Sequence, residues 1–161
     1  MTEFDFKDGK GPVPAKKHSN GGGWVADTAT VAETAFVGPN ARVYDKARVY
    51  DKARVYGNAQ VFGDALVSCN ARVSGNASIL GAAWVYGKAR VSDDAEVSGN
   101  ARVSDDARVS GNARVSGDAR VSGDAWVTDN ALVSGDVEDD DTSEDIFIEM
   151  NGKRYKLVEV V

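Results

Sequence analysis

From Gly23 to Asp136 the apolar and polar positions recur with a period of six, with no insertion or deletion. Nineteen consecutive hexads share the frame Ala-x-Val-x and most end in (Gly/Asp)-(Asn/Asp); the third position is Val in eighteen of them and Ile79 in the other, and the first is Ala in all but the opening Gly23. Within a hexad, Ala and Val alternate with variable residues as along a strand, so both face one side, and the Gly/Asp–Asn/Asp pair supplies a turn. Three strand residues and a sharp bend cannot make a hairpin with the next hexad, because hairpin strands reverse direction through paired turns. The chain must coil on in one sense, with successive coils hydrogen-bonded in parallel about 4.8 Å apart and each Val resting on the Val of the next coil. Branched Val suits a buried pleated face, and Ala fits the crowded position beside the corner.

This pattern resembles the hexapeptide-repeat superfamily of left-handed parallel β-helices, in which three hexads make one triangular coil. The wording Ala-Arg-Val-Ser-Gly-Asn/Asp is similar to that of hexapeptide proteins found in bacterial and prophage genomes. The resemblance covers residues 23–136 and implies an all-β, single-stranded left-handed parallel β-helix of about six coils, roughly 30 Å tall.

A solenoid needs its ends covered, and the flanks suit that task. Residues 1–22 read as an N-terminal extension or cap, with Phe4 and Phe6 followed by Gly11-Pro12-Val13-Pro14 and Gly21-Gly22. Residues 137–145 read as an acidic linker, and residues 146–161 as a C-terminal β-hairpin around Asn151-Gly152, a strong turn signal between apolar strands. A lone hairpin is marginal in water, so this one is expected to pack on the prism or on another subunit.

On the third face the residue between Ala and Val reads Phe36, Arg54, Arg72, Arg90, Arg108, Trp126. Stacked guanidinium forks suit an anion or an acidic protein; the plainer alternative is a solvated ladder neutralised by corner acids such as Asp93, Asp94, Asp105 and Asp106. The other faces carry apolar outward residues in their N-terminal half: Tyr44, Phe62 and Leu80 on one, and Tyr50, Leu66, Trp84 and Tyr86 on the other. From Ser92 onward the position after Val becomes Ser or Thr. An exposed apolar patch marks an interface, either with another copy, for which the resemblance favours a trimer, or with the chain's own hairpin.

The net charge of −6 sits mostly in the tail, where residues 137–161 hold three basic and eight acidic side chains. An acidic chain argues against direct nucleic-acid binding and against an anionic membrane. With one cysteine, Cys69, an intramolecular disulfide is excluded, and the first thirty residues hold no apolar run suited to a signal or anchor; a cytoplasmic location is expected, or a virion in a prophage setting.

Enzymes of the resembled superfamily use a histidine base at a subunit cleft, or three histidines on a metal. Here His18 is the single histidine. It precedes the repeat, so no family catalytic residue carries over to it, and beside Lys16 and Lys17 it reads as solvated. Cys69 at a corner reads as a tolerated small residue, and the paired corner aspartates lack a repeated calcium spacing. No cofactor or metal is expected. The reading is a non-catalytic structural or interaction module that binds itself and a host or virion protein. The alternatives are an acyltransferase-like enzyme with an inter-subunit site and an acidic inhibitor of a nucleic-acid-handling or defence protein.

Overall fold

The computed structural model describes residues 2–135, 146–150 and 153–157, which form strands, turns and connecting residues with no helix among them. Successive hexads turn through three sheets and return to the first eighteen residues later, so Arg72 stands over Arg54 and under Arg90, and Val73 between Val55 and Val91. The result is a parallel β-solenoid of about six coils. The first face runs from Trp24–Ala26 to Leu132–Gly135, the second from Thr30–Val31 to Arg120–Val121, and the third from Phe36–Val37 to Trp126–Val127. Backbone hydrogen bonds join successive coils: the Arg72 and Ser74 N–H groups donate to the Ala89 and Val91 carbonyls, each at 2.9 Å.

The core is the Ala and Val ladder. Repeat positions one and three are fully buried from Ala35 to Val115, Ile79 included. Each buried Val contributes about 1.5–3 kcal/mol of apolar burial, which lets so narrow a prism hold together. Ala125, in the last coil of the third face, is exposed.

Corners explain the fifth position. From Asp45 to Asp129 its residues adopt left-handed backbone, with φ of 58° at Asp51, 63° at Asp93 and 67° at Gly75, which Gly adopts freely and Asp tolerates. Coils approach so closely there that a Cβ on Gly75 would lie 2.6 Å from the Asp93 amide nitrogen. Where Asp occupies the corner, its carboxylate reaches the next coil. Asp51 accepts from the Cys69 N–H at 3.0 Å, Asp93 from the Gly111 N–H at 3.1 Å and Asp105 from the Gly123 N–H at 3.2 Å.

Both ends are finished on the first face. Glu3–Asp5 pairs antiparallel with Pro12–Lys17, which pairs antiparallel with Trp24–Ala26. At the other end Leu132–Gly135 pairs antiparallel with Ile146–Met150, and that strand with Lys153–Leu157 in the register Met150↔Lys153. These hairpins extend the face to eleven strands and cover its two edges. The expected turn at Asn151-Gly152 and the acidic linker lie outside the described residues.

Candidate binding face

The third face brings Arg54, Arg72, Arg90 and Arg108 into one in-register ladder, and all four side chains are exposed. Aromatic rings hold its ends. The Arg54 guanidinium lies 5.1 Å from the Phe36 ring centre and 5.7 Å from that of Tyr56, and Arg108 lies 4.8 Å over Trp126. Such contacts are worth about 0.5–1 kcal/mol at exposed sites and set where each fork sits. Trp126 is itself 67% exposed.

The corner acids Asp93, Asp94 and Asp105 make their close contacts elsewhere than with the ladder arginines. Asp93 receives the Gly111 N–H and the Ser92 hydroxyl, Asp94 the Asn76 amide at 2.9 Å, and Asp105 the Gly123 N–H and the Ser104 hydroxyl. Among the described residues the ion pairs are Lys7–Asp5, Lys10–Asp8, Lys10–Asp45 and Lys88–Asp106, and none includes an arginine of the ladder.

The apolar residues fare differently from one another. Tyr44, Phe62 and Leu80 stack on the first face, with Tyr44 and Phe62 ring centres 4.9 Å apart at an interplanar angle of 4°. The expected cover was the C-terminal hairpin or another subunit. The cover over Tyr44 is instead the N-terminal cap: Phe6 stacks on Tyr44 at 4.9 Å, Phe4 stacks on Trp24 at 4.4 Å, and Arg42 Nη1 donates to the Phe6 carbonyl. The C-terminal hairpin pairs with the last coil, several coils away from Tyr44. Burial, aided by the Asp8 and Asp45 charges, pushes the Tyr44 phenol up to about 12, while its hydroxyl donates to Gln60 at 3.1 Å. Lys7 holds the Asp5 carboxyl below its usual range, and Asp45 raises Lys10. A groove of about 430 Å³ borders the cap, lined by residues that include Phe4, Trp24, Arg42, Asn58 and Gln60.

On the second face Leu66 and Trp84 are register neighbours, whereas Tyr50 and Tyr86 are two coils apart with Ser68 between them. Tyr50 is 36% and Trp84 39% exposed, and Arg102 lies 4.9 Å over Trp84. This face therefore carries a broken aromatic strip.

His18 is not the solvated side chain that its lysine neighbours suggest. It is 8% exposed and sits in a turn where its N–H donates to the Gly23 carbonyl and its carbonyl receives the Gly22 N–H, with Nδ1 3.3 Å from the Asn20 amide nitrogen. Cys69 is an exposed free thiol with φ of 61°. Among the described residues no group of three metal-ligating side chains converges, and no helix is long and apolar enough to cross a membrane.

The family model described as the YdcK beta solenoid repeat matches residues 47–63, 71–87, 95–111, 101–116, 107–123 and 113–129. The chain is a hexapeptide-repeat β-solenoid. The matches fall within the three-sided stack, in line with the register seen on every face of the solenoid. No curated protein sequence matches it. Two solved structures are similar to the solenoid. One is the product of the BC4754 gene of Bacillus cereus, assigned as an acetyltransferase, with 15% identity, 65% of this chain and 71% of that one covered, and a TM-score of 0.32. The other is the acetyltransferase domain of PglB from Neisseria gonorrhoeae in complex with acetyl coenzyme A, with 21% identity, 69% and 53% covered, and a TM-score of 0.37.

Proposed function

We propose that this solenoid is a non-catalytic interaction module that binds an acidic protein partner through its arginine face and associates with further copies of itself through the aromatic strip on the second face. One observation carries the reading. Four stacked, exposed arginines stand without a carboxylate partner among the described residues, while the nearby acids are occupied by backbone amides, hydroxyls and a side-chain amide. Like charges on neighbouring coils repel one another, and a partner that brings carboxylates relieves that repulsion through bidentate, charge-assisted hydrogen bonds. The exposed Trp84 beside Leu66 supplies a smaller apolar contact for self-association.

Affinity capture from a lysate of the source cell, followed by mass spectrometry, tests the reading. The native chain is expected to recover one stoichiometric acidic protein that an Arg54→Glu, Arg72→Glu, Arg90→Glu variant loses and that a deletion from Val137 keeps. Recovery of the bait alone by the native chain contradicts it.

A further inference from the structure

The spacing of the ladder narrows the kind of partner that fits. Arg54, Arg72, Arg90 and Arg108 are consecutive register partners on one parallel sheet, so they recur at the inter-strand distance of about 4.8 Å and span about 14 Å. Three ways of presenting negative charge to such a row differ in phase. An extended acidic strand laid along the axis offers same-side carboxylates about every 6.8 Å, twice the rise per residue. A nucleic-acid duplex offers one phosphate per strand about every 3.4 Å of its axis. A β-sheet whose strands stack along the solenoid axis offers one carboxylate per strand every 4.8 Å, in step with the arginines at every rung. The first two drift out of phase within the length of the ladder.

The face is prepared for a flat, periodic partner. The position after each Val on its central rungs is Ser74, Ser92 or Ser110, so no bulky side chain adjoins the arginines there. The end guanidiniums are held by Phe36, Tyr56 and Trp126, which reduces the side-chain freedom lost on docking.

We infer that the arginine face docks onto an in-register ladder of carboxylates on a partner β-sheet or β-solenoid whose strands stack along the same axis. This rests on the acidic-partner reading above and adds the partner's architecture to it.

The chain can supply its own probe. A variant with Arg54→Glu, Arg72→Glu, Arg90→Glu and Arg108→Glu carries a glutamate ladder at the matched spacing, and Glu96 already occupies the equivalent position on the first face, so the substitution suits the fold. Calorimetric titration of the native chain with this variant is expected to give a 1:1 complex, weakened by salt and at least about tenfold tighter than binding of an unstructured peptide with four glutamates. Circular dichroism checks the fold of the variant; if it is lost, the Arg72→Glu, Arg90→Glu double variant serves as the probe. Peptide binding as tight as the ladder overturns the architectural inference and leaves the acidic-partner reading standing. Tighter binding of a DNA duplex overturns both in favour of nucleic acid. No binding of any probe also overturns both.

Discussion

The Asp93 carboxylate accepts a hydrogen bond from the Gly111 amide one coil further on, at 3.1 Å, and so ties corner to corner beside Arg90 and Arg108. Asp93→Ala removes that bond and places a Cβ-bearing residue without a local acceptor at φ of 63°. It is expected to cost about 1–3 kcal/mol, and Asp93→Asn, which keeps an acceptor and tolerates this backbone, less than about 1 kcal/mol. The urea midpoint reads both. Equal losses in the two variants would contradict the role given to the carboxylate.

Cys69 occupies a corner where φ is 61°, next to corners that hold Gly or Asp. Cys69→Gly is expected to stabilise the chain by about 0.5–1 kcal/mol by relieving left-handed strain, read as a higher thermal midpoint. The reverse change separates strain from contact. Gly123→Ala meets nothing within 4 Å and should cost about 1–2 kcal/mol, whereas Gly75→Ala also drives a Cβ to 2.6 Å from the Asp93 backbone and should cost more.

Stability of the N-terminal cap should depend on alkaline pH through Tyr44. Its phenol titrates at about 12 in the folded chain, above its ordinary value of 10.0. The raised value favours the neutral form in the fold, so this contribution is complete below pH 10 and is lost as pH rises from 10 toward 12. Cap opening, followed by Trp24 fluorescence in a Trp84→Phe, Trp126→Phe background, should rise over that window, and Tyr44→Phe should reduce the dependence, leaving the part that belongs to the Lys10–Asp45 ion pair. An unchanged profile in Tyr44→Phe would assign the transition elsewhere.

Much of the architecture follows from residues one can read directly. Val and Ala at fixed hexad positions set the core and the register, Gly and Asp at the fifth position set the corners, and the tail's alternating strands predicted a hairpin. Two features needed three dimensions. Phe4 and Phe6 alternate like any short strand, and nothing in their spacing says that they fold back onto Trp24 and Tyr44. A corner aspartate lies three residues from an outward arginine and eighteen from the backbone of the next coil, so sequence proximity favours the arginine. Only the coil geometry shows that Asp93 and Asp105 bond to the amides of Gly111 and Gly123. The arginines of the candidate face were legible as a ladder; their lack of local carboxylate partners was not.

On the proposed reading, binding belongs to the third face rather than to arginine content in general. The most direct measurement compares two charge-matched variants in capture of the acidic partner at one salt concentration: Arg72→Glu with Arg90→Glu on the third face, and Arg48→Glu with Arg102→Glu on the second. The account predicts that the first pair loses the partner and the second retains it. Retention by both, or equal loss by both, would contradict it.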